Sequence, residues 1–390
     1  MWWSARALSG RGPQGVRRLE GADEVARALA AMGGRCAQGR QHVQVVSSGS
    51  ALIVAVVACG DRSEVVAKLA TQPSAAEEMR LDSLVRGRIA ADSRARGWSA
   101  LLPEVVHVDL EALPAVSVER RRGRVDGRKA LAGPPASAAP ALRNALDAVA
   151  QLHAATATRA RADEALLAEW VGEPLAAIGS LYRAGSWQVR SLSRLEGVLA
   201  EVLYGTDVLV GWSHGDYSPG NLLFGGPGCT VLEGVVDWGA GSPRGLLGRD
   251  TSLLVVSTVM QRLGLDMGEV VTGLLRRPEA VPAWEGLVGP GRWSELERVA
   301  LRWGSPAPAG QAAPGGRVER QARAATLVLA WAQHVSRNVA KAEAYSRRSA
   351  WRVANVDLVL ASEALPGRTG ARCATAGFGT APSVQGVRAH

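Results

Sequence analysis

A loop rich in Gly and Pro places an acid and an amide close together, directly before a short apolar strand. The loop, 213–224, reads SHGDYSPGNLLF, and Asp216 and Asn221 in it are five positions apart. A second strand-like segment, 230–237, ends in Asp237, and the GGPG sequence between the two segments predicts a hairpin. The strands of a hairpin run side by side, so the three polar side chains are expected at the same end.

These three side chains suggest a chemistry. Carboxylate and amide oxygens are hard ligands that suit Mg²⁺. One carboxylate could remain free to orient a hydroxyl group. Phosphoryl transfer uses such parts, because its transition state spreads negative charge that has to be positioned and neutralised.

Lys68 is the candidate for the cation that such a reaction needs at the phosphate tail. It ends the sequence VVAK in a predicted strand, close to the V-A-I-K pattern of a kinase strand. Only three of the 45 basic residues are Lys, which makes one in this setting more informative. An unpaired buried ammonium is costly, so a partner is expected, and Glu77 and Glu78 on the next predicted helix are both open candidates.

The motif set resembles the aminoglycoside phosphotransferase and choline kinase-like family, the small-molecule branch of the protein-kinase-like fold. The family pattern H-G-D-x-x-x-x-N matches residues 214–221, and the family's metal-binding aspartate matches Asp237 in VDWG. A further family Asp that opens a helix matches Asp250. The resemblance extends from about residue 40 to 360, and its specific part is 213–254.

The resemblance implies roles for the residues of the central loop. Asp216 is expected to be the catalytic base or the residue that orients the hydroxyl group. Asn221 and Asp237 are expected to hold Mg²⁺. His214 and Asp250 are expected to support the loop rather than react.

The resemblance also implies a nucleotide site for ATP. Lys68 contacts the α- and β-phosphates in this view, a loop at 48–50 covers the phosphates, and adenine lies near the backbone of 118–120. The residues expected around the nucleotide are Lys68, Glu77, Glu78, Ser48, Gly49, Ser50 and Glu119.

The expected fold class is α+β, a two-lobed protein-kinase-like fold with a small β-rich N-lobe and a larger, mainly helical C-lobe. A chain of 390 residues exceeds the usual size of one hydrophobic core, which also favours two lobes. The predicted divisions are an N-terminal extension (1–19), a nucleotide-binding N-lobe (20–119), an interlobe linker (120–140), a helical C-lobe with the catalytic loop and acceptor site (141–364) and a disordered tail (365–390).

The expected function is ATP- and Mg²⁺-dependent phosphorylation of a small-molecule hydroxyl, on an aminoglycoside-, amino alcohol- or sugar-like acceptor. The alternative is a nucleotide-binding pseudokinase or scaffold in a biosynthetic pathway. The presence of Lys68, Asp216, Asn221 and Asp237 together argues against the alternative. Residues 159–210 hold five Arg and seven acids, too small an excess of acids to indicate a cationic acceptor.

Charge and composition limit the expected partners. The net charge is +9, yet the Arg residues are scattered and no nucleic-acid-binding motif accompanies them, so no nucleic-acid partner is expected. No apolar run reaches the ~20 residues of a membrane helix, no secretory signal is recognised, and no obligatory protein partner is evident. Four Cys far apart predict reduced thiols in a cytoplasmic protein, and His153 and His334, on apolar helix faces, are expected in the core.

Overall fold

A five-stranded antiparallel sheet forms the N-lobe of the protein. The computed structural model describes residues 43–47, 52–59, 63–276, 317–341 and 348–362. The sheet order is β1-β2-β3-β5-β4. Its strands are β1 (Val43–Ser47), β2 (Leu52–Ala58), β3 (Glu64–Ala70), β4 (Val105–Asp109) and β5 (Ala115–Arg120). The predicted loop at 48–50 and the tail from 365 onward lie outside the described residues.

Strand β3 is central, and its two faces differ. Val65, Ala67 and Leu69 are buried in an apolar cluster on one face, which follows from the two-residue period of a strand. Lys68 points to the other face and lies opposite Ser117 of β5 in the strand register. The strand therefore carries the Lys side chain into the space between the sheet and the rest of the molecule.

Helix α1 (Pro73–Ala91) follows β3 and touches both lobes. Its first half packs on the sheet through Ala76 and Met79, whereas Val85 and Ile89 belong to a core of the C-lobe. Ser74 and Glu77 have the spacing of a capping box, but both lie inside the helix and the N-cap residue is Gln72. The helix begins at Pro73, because proline at the first helical position needs no N–H partner and has the helical φ already set.

The segment predicted as an interlobe linker contains regular structure. It holds β6 (Val125–Asp126), α2 (Gly127–Ala132) and the start of α3 (Pro135–Thr156). Asp126 caps α2 by accepting a hydrogen bond from the backbone N–H of Lys129 at 3.1 Å. Val125 and Asp126 pair with Phe224 and Leu223, which ties this segment into the C-lobe.

Two three-stranded sheets lie in the C-lobe, in the orders β10-β9-β6 and β11-β8-β7. The predicted hairpin is present, with Leu222 paired to Val235. The second sheet was not predicted from the sequence. The strands are β7 (Thr158–Arg161), β8 (Asp207–Ser213), β9 (Leu222–Gly225), β10 (Val231–Val235) and β11 (Ser242–Leu246).

Helices make up most of the remaining C-lobe. They surround a core that includes the fully buried Trp170 and Trp331. The segment from Arg249 to Arg276 forms two helices rather than one. The helices are α4 (Glu164–Leu167), α5 (Glu173–Gly179), α6 (Trp187–Leu203), α7 (Arg249–Leu263), α8 (Met267–Arg276), α9 (Arg317–Lys341), α10 (Ser349–Arg352) and α11 (Leu358–Leu360). Among the described residues, no helix has the length and apolar character to cross a membrane.

Cys59 contradicts the expectation of four reduced thiols. It is buried and disulfide-bonded. Wide spacing along the chain does not fix the distance between two thiols in space, which is why the sequence argument failed. Cysteine usage therefore no longer favours the cytoplasmic prediction.

Candidate active site

Two backbone amides of the central loop are held by one carboxylate. Asp250, in the first turn of α7, accepts hydrogen bonds from the N–H groups of His214 at 2.7 Å and Gly215 at 2.9 Å. Gly215 has φ of 74°, and a Cβ there would overlap the carbonyl oxygen of Ala240. The conformation of Gly215 therefore fixes the direction of the backbone at Asp216, the next residue.

Asp250 remains ionised although it is buried. Burial would raise the pKa of its carboxyl, but contacts with His153 and His214 outweigh burial and hold that pKa below its ordinary value. His153 Nε2 lies 3.5 Å from the carboxylate, and His153 is buried, as expected for a core histidine. The sequence motif that matched Asp250 thus corresponds to a structural anchor of the loop.

His214 links the Asp216 loop to the segment before Asp237. Its Nδ1 accepts from the backbone N–H of Asp216 at 3.2 Å, and its Nε2 donates to the carbonyl oxygen of Val236 at 2.9 Å. A backbone N–H only donates and a carbonyl only accepts, so these two contacts assign the proton to Nε2. The ring packs against Trp238, with ring centroids 4.5 Å apart.

Asn221 and Asp237 lie at the same end of the β9–β10 hairpin. The side-chain amide of Asn221 donates to the carbonyl oxygen of Asp216 at 2.8 Å, and the N–H of Val236 donates to the carbonyl oxygen of Asn221 at 3.0 Å. Asp237 has φ of 64°, and its side chain is 59% exposed. The backbone therefore presents this carboxylate to the cleft rather than to the core.

Asn221 and Asp237 can together provide two oxygen ligands for Mg²⁺. The hydrogen bond to Asp216 turns the Asn221 nitrogen toward the loop, which directs Oδ1 the other way, and the Asp237 carboxylate is accessible. No group of three or more His, Cys, Asp or Glu side chains suited to a metal occurs in the described part of the chain. Mg²⁺ commonly takes only one or two protein ligands and completes its shell with water and phosphate oxygens, so the residues present suffice.

Lys68 faces this end of the hairpin from the N-lobe. Its Nζ lies 3.3 Å from Glu119 Oε2 and 3.9 Å from Asp237 Oδ1. Burial would lower the pKa of the ammonium, but Glu119, Asp82 and Asp237 together raise it above its ordinary value. The structure thus places Lys68 beside Asp237, while Asn221 contacts the backbone of Asp216 at the same end of the hairpin.

The predicted partners of Lys68 are wrong. Glu77 and Glu78 are exposed on α1, and Glu77 pairs with Arg80 at 3.3 Å instead. Glu119 takes this place from β5, and its side chain is only 2% exposed. Glu77 and Glu78 lie on the side of α1 that faces solvent. The side of α1 that faces Glu119 carries Asp82 and Arg86 instead.

Asp82 and Arg86 are the residues of α1 that reach the site, and sequence reasoning missed both. Arg86 Nε lies 2.8 Å from Asp82 Oδ2, and its Nη2 lies 2.9 Å from Glu119 Oε1. Asp82 also accepts a hydrogen bond from the backbone N–H of Trp238 at 2.7 Å. These acids and bases form a buried cluster, in which Glu119 is shared by Lys68 and Arg86.

Helix α9 approaches the other side of Asp216. His334 Nδ1 lies 3.8 Å from Asp216 Oδ1, and Arg337 Nη2 lies 4.0 Å from Asp216 Oδ2. Arg337 also donates to the carbonyl oxygen of Gly215 at 3.3 Å. The prediction that His334 is a core histidine is therefore wrong: its side chain is 20% exposed and faces the loop. The signal that could have shown this was the i, i+3 spacing of His334 and Arg337.

Two arginines of the Arg-rich run 120–124 form ion pairs at the end of β5. Arg120 lies 2.9 Å from Glu104, and Arg121 lies 3.0 Å from Glu64. Their backbone N–H groups donate to the carbonyl oxygens of the same two residues, Glu104 and Glu64. These contacts join the end of β5 to the start of β3 and to the residue before β4.

Comparison with known proteins gives a family match and a set of similar folds. Residues 42–242, just over half of the chain, match the sequence profile of the phosphotransferase enzyme family (APH). No curated protein matches the chain.

Three of the similar solved structures are phosphotransferases by name. An aminoglycoside-3'-phosphotransferase of type VIII is 18% identical, with 80% of this chain and 99% of that chain covered and a TM-score of 0.45. A macrolide 2'-phosphotransferase type I is 12% identical, with 86% and 96% covered and a TM-score of 0.48. A macrolide 2'-phosphotransferase from Brachybacterium faecium is 15% identical, with 84% and 97% covered and a TM-score of 0.46.

Proposed function

Since this chain belongs to the phosphotransferase enzyme family, we propose that it transfers the γ-phosphate of ATP to a hydroxyl group of a small molecule in the presence of Mg²⁺. The observation that carries the proposal is the meeting of Lys68 with Asp237 at 3.9 Å across the lobes. At the same end of the hairpin, the side-chain amide of Asn221 donates a hydrogen bond to the backbone carbonyl oxygen of Asp216. A cation, two carboxylates and an amide oxygen are the parts that phosphoryl transfer needs.

Asp216 is the residue that we assign to the acceptor. The acceptor oxygen forms a bond to the γ-phosphorus, and the bond from that phosphorus to the β,γ-bridging oxygen breaks. The hydroxyl proton passes to the Asp216 carboxylate, and ADP leaves. His214 and Asp250 contribute by holding the loop, which fixes where the carboxylate points.

The remaining polar residues would hold the phosphates. Asn221 Oδ1 and the Asp237 carboxylate would hold Mg²⁺, which when bound neutralises charge on the transferred phosphoryl group. Lys68 would contact the α- and β-phosphates with an ammonium that Glu119 keeps charged and oriented.

We also propose that adenine lies near the backbone of 118–120, as in the sequence prediction. The N–H groups of Arg120 and Arg121 already donate within the sheet, so carbonyl oxygens or other N–H groups would have to supply the hydrogen bonds to the base. The covering role of Ser48, Gly49 and Ser50 stays a prediction.

Incubation with labelled ATP, Mg²⁺ and a broad panel of hydroxylated metabolites and antibiotics tests the proposal. We expect Asp216→Asn to reduce transfer by about 10²–10⁴-fold while Mg-ATP still binds, because only the proton acceptor is lost. The matched control is Asp207→Asn, an exposed Asp at the start of β8, which is expected to keep full activity.

Two other outcomes contradict the proposal. Mg-ATP binding without transfer to any member of the panel would favour the pseudokinase or scaffold. A protein that neither binds Mg-ATP nor melts at a higher temperature in its presence would exclude both functions.

A further inference from the structure

Two side chains that can carry positive charge lie beside the residue that we assign to the acceptor. His334 Nδ1 and Arg337 Nη2 lie 3.8 and 4.0 Å from the two carboxylate oxygens of Asp216. Both contacts are longer than a hydrogen bond. The two residues are one helical turn apart on α9, so they present one surface to the loop.

The position of this surface is fixed by the buried face of α9 that adjoins it. Trp331 is fully buried, and its indole N–H donates to the carbonyl oxygen of Asn355 at 2.7 Å. Val328 and Val335 are buried in the same core. The helix therefore cannot rotate without breaking its packing, and His334 and Arg337 stay at the loop.

The two side chains keep binding capacity toward the cleft. A guanidinium has five N–H donors, and the contact of Arg337 with Gly215 uses one of them. The Arg337 side chain is 23% exposed and the His334 side chain 20%, so solvent and a ligand reach both. Guanidinium groups bind carboxylate and phosphate oxygens in a two-pronged geometry.

We propose that the acceptor of this enzyme carries an oxyanion group, a carboxylate or a phosphate, close to the hydroxyl that is phosphorylated, and that Arg337 and His334 bind this group. The inference rests on the proposed function, because it concerns the acceptor of that reaction. A polycationic acceptor would place its ammonium groups against the Arg337 guanidinium, where like charges repel. Arg337 and His334 therefore select the charge of the acceptor.

A set of sugars that differ only in charge tests the proposal by transfer. Glucose, glucosamine, glucuronate and glucose 6-phosphate offer similar hydroxyls with neutral, cationic, carboxylate and phosphate groups. We expect kcat/KM for one of the two anionic sugars to exceed that for glucosamine at least tenfold, and the better anion identifies the oxyanion. A preference for glucosamine over both anions overturns the proposal.

Anion binding covers the case in which none of these sugars is a substrate. Malonate and inorganic phosphate are titrated into the full-length protein saturated with Mg-ADP. We expect Arg337→Gln to weaken the binding of one anion at least tenfold, His334→Gln to weaken it less, and Arg337→Lys to recover part of it. Arg276→Gln, which removes an equal charge from an exposed position on α8, is expected to leave binding unchanged.

Equal anion binding by wild type and Arg337→Gln, with both proteins folded by thermal melting, overturns the inference. Failure of the proposed function has a separate sign, because it would appear earlier as a failure to bind Mg-ADP at all.

Discussion

Asp250 takes no part in the proposed reaction, but its hydrogen bonds hold the loop that carries Asp216. It is buried, and its carboxylate accepts two consecutive backbone N–H groups next to Asp216. Removing the charge leaves those amides with a weaker acceptor. We expect Asp250→Asn to lower the free energy of unfolding at pH 7 by about 3 kcal/mol, as for other broken buried ionic contacts. Urea unfolding measures this value, with Asp207→Asn as the exposed control.

The contribution of Asp250 to the free energy of unfolding is expected to depend on pH. The pKa of Asp250 is lowered in the folded protein, so its contribution to stability is present above the unfolded pKa and is lost as pH falls through the folded pKa. The difference in unfolding free energy between wild type and Asp250→Asn should therefore narrow below about pH 4. An equal difference at pH 7 and pH 3 would contradict the assignment of a lowered pKa.

Glu119 gives a second prediction at this scale. It lies 3.3 Å from Lys68 and 2.9 Å from Arg86, so Glu119→Gln leaves two buried cations with less opposing charge. We expect KM for ATP to rise about tenfold, and KM for the acceptor to change little, because Lys68 loses its orientation. Steady-state kinetics with each substrate varied separately measures both values.

The controls for Glu119 come from the sequence prediction itself. Glu77→Gln and Glu78→Gln remove exposed charges from α1, and both are expected to leave KM for ATP within twofold of wild type. A larger effect of Glu78→Gln than of Glu119→Gln would show that the sequence-based pairing, and not the observed one, operates during turnover.

Local spacing explains which site residues could be predicted. Asp216, Asn221 and Asp237 belong to one loop and its hairpin, so their meeting follows from short-range turn chemistry. The partner of Lys68 depends on the pairing of β3 with β5 and on the rotation of α1, which depend on long-range packing. For the same reason, His334 looked like a core residue: its helix is amphipathic, but the direction of each face is set by distant segments.

At the scale of elements, α8 is held close to the segment 348–362. A Cβ on Gly268 would overlap the carbonyl oxygen of Ala354, whereas a Cβ on Gly273, in the same helix, would meet no atom within 4 Å. We expect Gly268→Ala to destabilise the protein by about 1–3 kcal/mol through overpacking. Gly273→Ala should stabilise it by up to about 1 kcal/mol, because Ala favours a helix more than Gly does.

Thermal and urea unfolding measure the change in stability of the two variants. The comparison tests whether α8 packs closely against Ala354 at Gly268. The pair shares a helix and a substitution, so helix propensity alone cannot make their effects opposite in sign. Two stabilised variants would mean that α8 and the following segment can separate without loss of packing.

Elements with strong local patterns were predicted better than those defined by their partners. The strand β3, the β9–β10 hairpin and the long helix α9 each have a clear period or turn in the sequence. The sheet β11-β8-β7 joins strands from three separated parts of the chain. The two-residue β6 is a strand only because it pairs with β9. Such pairings have no local signature.

At the scale of the whole molecule, nucleotide binding should stabilise the folded protein. A ligand at 100 times its Kd adds about 2.7 kcal/mol, which for a protein of this size raises Tm on the order of 5 °C. We expect this shift with Mg²⁺ and a non-hydrolysable ATP analogue. Asp237→Asn, whose side chain is largely exposed, should fold normally and lose the Mg²⁺-dependent part of the shift.

The two halves of α1 pack in different cores. Ala76 and Met79 pack on the β-sheet, while Val85, Ile89 and the hydrogen bond from Trp238 to Asp82 attach the second half to the C-lobe. Any opening or closing of the cleft must therefore bend this helix near Arg80–Asp82 or break one of the two cores. The axis of such a rotation would pass through the middle of α1, one turn from the Arg86 side chain that touches Glu119. A change in the width of the cleft between Lys68 and Asp237 would therefore change the curvature of α1.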